Sequence, residues 1–233
     1  MIVVHHLNNS RSQRVLWLLE ELGLPYEVQH YQRDAKTMLA PPELRAVHPL
    51  GKSPVITDDR AGSGAGGPTP GVITVAESGA IIEYLIDRYG EGHFKPAIGT
   101  PERLRYTYWL HYAEGSAMPP LLLKLVFDEV EKAPMPFFIK PIARAISGKV
   151  KSAFISPQIK QHLDYMEAEL DKFAWFAGKE FTGADIQMSF PLEAAAARGG
   201  LDGSRPRLMD FLKRIHARPG YMRALKKGGA YSL

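Results

Sequence analysis

The chain has 233 residues, of which 45% are hydrophobic, and its formal net charge is +4. This length suffices for one large or two small domains. No apolar run approaches the ~20 residues needed to cross a bilayer, and the N-terminus begins as a strand with no basic segment. We therefore expect a cytoplasmic protein that has no signal peptide and does not bind a membrane.

The chain contains no cysteine, which excludes disulfides, thiolate metal sites and a cysteine nucleophile. Redox chemistry would need an external thiol, and we expect no metal site. The basic residues are spread along the chain apart from a cluster at residues 214–227. This pattern is better explained by a solvated face than by a nucleic-acid partner.

Residues 2–24 predict a short buried strand, a polar turn and an amphipathic helix. The spacing of Ser10 and Gln13 fits a capping box, so Ser10 is the expected N-cap. Gly23 stands where a left-handed residue would end the helix. A strand that leads into a helix N-terminus brings together free N–H groups, a positive dipole end and a hydroxyl. An anion such as a thiolate is stabilised there, although Ser10 could also serve only as a cap.

A second strand is predicted at Tyr26–Tyr31, which gives a parallel β-α-β opening. The segment HPLGKSPVI, residues 48–56, predicts a tight turn at Gly51 and a strand that begins at Pro54, whose preceding peptide bond could be cis. Residues 60–71 are rich in Gly and Pro. They predict a flexible loop between strands at residues 55–57 and 72–75, because a phosphate-binding loop would need a G-K-[ST] sequence.

Ser78 is expected to cap a helix that ends at Gly90, which offers a second N-terminus suited to anions. Residues 91–100 lack periodicity and predict a linker. From Pro101 onward the pattern is helical. The expected helices cover residues 103–113, 121–130, 135–146, 156–173 and 207–216, the last ending near Pro219 and Gly220.

One helix start in the second half is unusually complete. Thr182 is the expected cap, and Asp185 lies three residues later in the capping-box position. Phe181 and Ile186 occupy the positions of a hydrophobic staple. The helix that follows, residues 185–197, is apolar nearly all round. It should therefore be the buried centre of an all-helical domain.

Four features in a fixed order resemble the soluble glutathione transferases over essentially the whole chain. They are a Ser at the first helix N-terminus, HPLGKSPVI, AESGAI and FTGADI. The opening SRSQRVLWLLEEL is similar to a fungal and bacterial subgroup of that family. The resemblance implies a thioredoxin-like α/β domain at residues 1–90, a linker at 91–100 and an all-α domain at 101–233.

The resemblance also implies a glutathione site. Pro54 matches the family's cis proline, Ser53 takes the place of its usual Val, and the Ser53 peptide together with Val55 would pair with the cysteinyl backbone. Glu77 would hold the γ-glutamyl ammonium, and Ser78 its carboxylate. At the glycyl end of glutathione, the resemblance favours a contact with Lys52. Arg33 or Lys36 could share this contact.

The family's activating residue is a Tyr, Ser or Cys, depending on the class. Here we favour Ser10 as the hydroxyl that stabilises the thiolate, followed by Asn9 and then Ser12. His5 and His6 stand where some classes have Tyr, and we expect them to alternate as strand residues. A bound thiol whose pKa of about 8.5 is lowered by about 2 would need roughly 2.7 kcal/mol of differential stabilisation.

The implied function is activation of the glutathione thiolate for attack on a small, apolar electrophile. Alternatives are reduction of peroxides or disulfides by the same site, and a non-catalytic interaction module. Glutathione is then a co-substrate and no cofactor is expected. The electrophile should bind in an apolar cleft, and we expect two or three aromatic or Met residues to line it. The candidates are Tyr106, Trp109, His111, Tyr112, Met118, Leu122, Phe137 and Phe138. The resemblance also implies a homodimer, with Tyr84 and Tyr108 at the interface.

Overall fold

A four-stranded mixed sheet forms the first part of the molecule, whose computed structural model describes residues 1–59 and 71–229. The strands are β1 (Ile2–Leu7), β2 (Tyr26–Tyr31), β3 (Val55–Asp58) and β4 (Ile73–Ala76). Their order is β2-β1-β3-β4, with β1 and β2 parallel and the other two pairings antiparallel. The predicted Gly- and Pro-rich loop lies outside the described residues apart from Gly71.

Three helices accompany the sheet, namely α1 (Ser12–Glu21), α2 (Glu43–Val47) and α3 (Ser78–Tyr89). The apolar side chains Val15, Leu18 and Leu19 of α1 are fully buried, as their helical spacing predicts. Gly23 has a φ of +65° and follows the end of α1, where a left-handed residue was expected. The β-α-β-α-β-β-α order agrees with the predicted thioredoxin-like topology.

The second part of the chain is helical. Its helices are α4 (Pro101–Tyr112), α5 (Met118–Lys132), α6 (Lys140–Val150), α7 (Ser156–Lys172), α8 (Gly183–Ala194), α9 (Pro206–His216) and α10 (Pro219–Gly228). Wide π-helical turns at residues 113–117 and 151–155 join α4 to α5 and α6 to α7, and a third turn at residues 195–199 extends α8. No helix in the described ranges 1–59 and 71–229 is long and apolar enough to cross a membrane.

Helix α10 was missed by the sequence analysis, which took Pro219 and Gly220 only as a stop for the preceding helix. Pro219 instead occupies the first turn of α10. The missing N–H of a proline costs nothing there, because the first N–H groups of a helix have no intrahelical partner. The predicted helix at residues 135–146 likewise begins later, at Lys140, with Pro141 in its first turn.

Helix α8 is the buried centre of the helical part, as predicted, since every residue from Gly183 to Ala194 is buried. Its capping box is present. Thr182 Oγ1 accepts a hydrogen bond from the Ala184 N–H at 3.3 Å, and the Asp185 carboxylate accepts from the Thr182 N–H at 2.8 Å. Asp185 also accepts from the Phe176 N–H at 2.9 Å, so one buried carboxylate connects the start of α8 to the preceding loop.

We predict that Asp185→Asn lowers the free energy of unfolding by about 2 kcal/mol, because an amide NH2 would face an N–H donor and leave buried groups unpaired.

Burial, which outweighs three hydrogen bonds, raises the pKa of Asp185 to about 6. The unfolded carboxyl titrates near 3.9. The folded state therefore binds more protons between these values, and wild-type stability should fall as pH rises from about 4 to 6.

Denaturant titrations at several pH values check this prediction. Asp202→Asn is the matched control, because Asp202 is exposed and accepts from the Ser204 N–H in a surface loop. The control should change stability by less than about 0.5 kcal/mol. Equal stabilities of the two variants, or an unchanged pH slope in Asp185→Asn, would contradict the role given to Asp185.

Candidate functional site

The turn before α1 differs from the predicted capping box. The residue preceding the helix is Arg11, which has helical backbone angles and makes no side-chain cap. Ser10 is therefore not the N-cap, and its Oγ accepts from the Ser12 N–H at 3.3 Å. Asn9 has a φ of +49°, and the helix begins two residues after Ser10, at Ser12.

Asn9 is the exposed member of the three candidate activating residues, whereas Ser10 and Ser12 are 4% and 0% exposed. Arg33 at the end of β2 holds this loop. Its side chain donates to the Asn8 and Asn9 carbonyl oxygens at 3.2 and 3.3 Å. Its backbone N–H donates to Asn8 Oδ1 at 2.8 Å. The left-handed turn that presents Asn9 is thus fixed by a neighbouring strand.

His5 and His6 alternate across β1, as the strand pattern predicts. His5 Nδ1 lies 3.0 Å from the Tyr31 hydroxyl on one face of the sheet. His6 lies on the other face, where its Nδ1 is 2.8 Å from Ser12 Oγ. Ser12 Oγ is in turn 2.7 Å from Ser10 Oγ. Both serines are candidate contacts for the thiol. In the structure they are buried and lie within hydrogen-bond distance of each other and of the buried His6, so they are not exposed to solvent.

The peptide bond between Ser53 and Pro54 is cis. Ser53 Oγ donates to the His5 carbonyl at 2.9 Å and lies 3.4 Å from Ser10 Oγ, so this turn adjoins the N-terminus of α1. Val55 is aligned with His5 on one side and Ala76 on the other. A strand with neighbours on both sides has no free edge, so Val55 is not positioned to pair with an added peptide. Ser53 lies just before the strand, outside these pairings.

The turn from β4 to α3 contains the other predicted anion-binding residues. Glu77 is exposed and has a φ of +70°, a left-handed conformation that non-glycine residues rarely adopt outside ligand sites and tight turns. Ser78 was predicted to cap α3, but it is the first helical residue and makes no cap hydrogen bond. Its Oγ accepts instead from Arg14 Nη2 at 3.0 Å and from Gln187 Nε2 at 3.2 Å.

The guanidinium of Arg14 is 1% exposed and connects α1 to the helical part of the chain. Its Nη1 donates to the Gln187 carbonyl and its Nη2 to Glu114, both at 2.5 Å, in addition to Ser78. Arg11 Nε also donates to Glu114, at 2.9 Å. Burial opposes ionisation of Glu114, but the two arginines outweigh burial and lower the pKa of its carboxyl. Sequence analysis missed Arg14, Glu114 and Gln187.

The surroundings of the α1 N-terminus are basic. Burial lowers the pKa of Arg33 and of Arg198, and in both cases the positive charge of Arg11 lowers it further. The Arg11 guanidinium therefore lies close enough to Arg33 and to Arg198 to repel each of them. Such an arrangement favours an anionic ligand, which would relieve the repulsion. Within residues 1–59 and 71–229, no group of three or more His, Asp or Glu side chains is placed to hold a metal ion.

The four leading candidates for the electrophile cleft do not line an open surface. Tyr106 and Trp109 are fully buried, and Tyr112 and Met118 are nearly so. The three aromatic residues belong to the core because α4 packs against the buried helix α8, and Met118 joins the same core at the start of α5. The three candidates that are exposed and apolar come later in the chain: Leu122, Phe137 and Phe138.

The sequence matches two family descriptions, "Glutathione S-transferase, N-terminal domain" at residues 10–88 and "Glutathione S-transferase, C-terminal domain" at residues 133–219. It is 35% identical to glutathione S-transferase 1 of Saccharomyces cerevisiae over 99% of this chain and 96% of that protein. The chain belongs to the glutathione S-transferase family. The predicted transferase activity and the predicted combination of a thioredoxin-like and an all-helical part are thereby confirmed.

Other relatives of this glutathione transferase support the same assignment. It is 40% identical to glutathione S-transferase 3 of Schizosaccharomyces pombe over 84% of this chain and 74% of that protein. Among solved structures, it superimposes with a TM-score of 0.70 on a glutathione transferase family member from Pseudomonas fluorescens pf-5. That structure has two glutathione molecules bound, is 27% identical, and the match covers 96% of this chain and 92% of that one.

We predict that Arg14→Lys destabilises the transferase by about 2 kcal/mol. A lysine ammonium cannot reproduce the planar fork that contacts Gln187, Ser78 and Glu114 together, so at least one buried polar group loses its partner. Arg207→Lys is the matched control, since Arg207 is 57% exposed and pairs with Asp171 at the surface. Chemical denaturation of both variants checks the prediction, and equal stabilities would contradict it.

Proposed function

We propose that this transferase binds glutathione across the N-termini of α1 and α3 and directs its thiolate at a small, apolar electrophile. The basic surroundings of Arg11, Arg33 and Arg198 support the binding of a tripeptide with two carboxylates and an ionisable thiol. The Pseudomonas fluorescens relative with glutathione bound supports the choice of ligand. The sequence does not identify the electrophile, because an apolar cleft is not encoded by a specific motif.

The turn at the start of α3 supplies the contacts proposed for the γ-glutamyl end. Because Arg14 has only donors, Ser78 Oγ must accept from it, and the Ser78 hydroxyl keeps its own proton for a ligand carboxylate. The exposed Glu77 would accept from the ligand ammonium. On the opposite side, the Ser53 backbone would pair with the cysteinyl unit and the exposed Lys52 would contact the glycyl carboxylate.

Asn9 is the residue that we propose to face the sulfur, ahead of Ser10 and Ser12. The observation that supports this order is exposure: Asn9 is exposed on a left-handed turn, and both serines are buried in hydrogen bonds to other side chains. A carboxamide N–H donates to a thiolate without changing its own charge. Together with the positive end of the α1 dipole, it would lower the pKa of the bound thiol.

For the electrophile we propose an apolar surface that includes Leu122, Phe137 and Phe138. They are the exposed members of the candidate set, and Phe137 is 84% exposed. Exposed aromatic groups can close on an apolar substrate and remove water from the reacting carbon. We further propose a cytoplasmic location, in keeping with a chain that has no cysteine.

We predict that Asn9→Gly raises the pKa of the bound thiol by about 1, because one hydrogen bond to a charged group is lost. At pH values below the pKa, kcat/KM should then fall about tenfold. Glycine is the informative substitution because it accepts a φ of +49° without strain. Asn9→Asp, which replaces the donor by a negative charge, should raise the pKa further. The measurement is the pH dependence of conjugation with an activated aryl halide.

Ser10→Ala is the matched comparison, and we expect it not to raise the thiol pKa. If Ser10→Ala raised the thiol pKa and Asn9→Gly did not, the assignment to Asn9 would be wrong. Parallel assays with a hydroperoxide and a mixed disulfide separate the alternative reaction. Turnover of these substrates without conjugation of the aryl halide would contradict the proposed reaction.

We also propose a homodimer that buries the exposed apolar side of α4. Leu104 is 75% exposed and Tyr108, one helical turn later, is 45% exposed, whereas Tyr84 on α3 donates to Asp58 within the same chain. We predict that Leu104→Glu converts a dimer of the wild-type chain to a monomer. Light scattering checks this, with Met222→Glu on the exposed side of α10 as the control; a wild-type monomer would contradict the proposal.

A further inference from the structure

A chain of hydrogen bonds runs from Ser10 into the protein and ends on His6. Ser10 Oγ and Ser12 Oγ are 2.7 Å apart, and Ser12 Oγ is 2.8 Å from His6 Nδ1. All three side chains are buried. We call them the serine–histidine chain. Each hydroxyl has a single proton. Which serine donates in each hydrogen bond therefore depends on whether His6, at the inner end of the chain, accepts or donates.

The far end is a neutral imidazole. Burial, the largest cause, and the charge of the neighbouring His30 on β2 lower the pKa of His6 to about 4. The backbone of Gly228, at the end of α10, lies against the ring and raises the pKa, as a carbonyl oxygen that faces a ring N–H does. A neutral imidazole has only one N–H. Placed on Nε2, toward Gly228, that N–H leaves Nδ1 as the acceptor that faces Ser12.

The direction of the remaining bonds follows. Ser12 must donate to His6 Nδ1, so Ser10 must donate to Ser12 across the 2.7 Å contact. Ser53 is the weaker competitor for the Ser10 proton, because its oxygen is 3.4 Å from Ser10 Oγ, whereas Ser12 Oγ is 2.7 Å away. The Ser10 proton therefore points into the protein, and the Ser10 oxygen is what remains for a ligand.

We propose that Ser12 and His6 are positioning residues that hold the Ser10 hydroxyl proton away from the glutathione sulfur. This inference rests on the proposed placement of the sulfur at the N-terminus of α1. Ser10 then offers the sulfur an acceptor and gives the thiolate no hydrogen bond. The thiolate is stabilised by Asn9 and the helix dipole, and a second strong donor is withheld from it.

Withholding a donor has a kinetic advantage. Each hydrogen bond that lowers the pKa of a thiol also lowers the nucleophilicity of the thiolate, with a Brønsted coefficient of about 0.4–0.5, and the best attacking thiol has a pKa near the ambient pH. A donor added at Ser10 would increase the thiolate fraction at low pH. It would also make every thiolate slower to attack. The serine–histidine chain sets the balance between these two effects.

Ser12→Ala tests the proposal because it removes the acceptor that holds the Ser10 proton. The Ser10 hydroxyl can then donate to the sulfur. We expect the pKa of the bound thiol, read from the pH dependence of conjugation, to fall by about 1. We expect the rate plateau above that pKa to fall about threefold, as the Brønsted relation requires. A purely structural defect would lower the plateau without moving the midpoint downward.

The double variant Ser10→Ala/Ser12→Ala is the control for the origin of this shift. Its bound thiol should have the same pKa as in Ser10→Ala alone, because the group that gains a free proton is absent. The proposal is overturned if Ser12→Ala leaves the midpoint unchanged or raises it, or if the downward shift persists in the double variant. His6→Phe keeps a ring in the buried position and should reproduce the Ser12→Ala shift.

A measurement on the unmodified transferase covers the case in which these variants fail to fold. Nitrogen NMR of the His6 ring should show a protonated Nε2 and an unprotonated Nδ1 at neutral pH. The opposite tautomer would overturn the proposal. The outcomes also separate it from the proposed function. If Asn9→Gly has no effect, the assignment of Asn9 fails, whereas the protonation of His6 Nδ1 tests the serine–histidine chain without reference to the sulfur.

Discussion

The buried guanidinium of Arg14 is the interaction on which the site depends. A charge removed from water is tolerated only when it is paired and hydrogen-bonded, and Arg14 donates to groups on three separate elements. It donates to Ser78 at the start of α3, to Glu114 between α4 and α5, and to the Gln187 carbonyl in α8. The two helix N-termini proposed to bind glutathione are therefore supported by one side chain, and the all-helical part supplies two of its three acceptors.

Hydrogen-bond direction gives the two serines of the site opposite properties. Ser78 accepts from a guanidinium, which has no acceptor of its own, so its proton is left for a ligand. In the proposed serine–histidine chain, the Ser10 proton is drawn inward, toward a neutral histidine. A hydroxyl at a helix N-terminus therefore cannot be assigned as a donor from its position alone. The groups behind it decide what it presents.

The fold and the order of the glutathione motifs could be predicted because they depend on local patterns. Helical spacing in α1, β-branched residues in β1 and the capping box of Thr182 and Asp185 are each contained within a few residues. The predicted cap at Ser10 was wrong because the spacing of Ser10 and Gln13 fits a capping box, whereas the helix begins at Ser12 and Arg11 stands in the cap position. The contacts of Arg14 join residues more than 60 positions apart, which no short motif encodes.

Some of that long-range pairing nevertheless has a sequence signal. Glu114 lies four residues after Leu110 and four before Met118, both buried, so a carboxylate stands on the apolar side of its helix. Arg14 stands in the same way four residues before the buried Leu18. A charge on a buried stripe requires a partner of opposite sign, because an unpaired buried charge would cost several kcal/mol. When one helix has an acidic residue on its buried stripe and another helix has a basic one, we therefore expect the two residues to pair. The same reasoning explains why Tyr106 and Trp109, on an apolar stripe with no such conflict, are core residues and not the wall of a cleft.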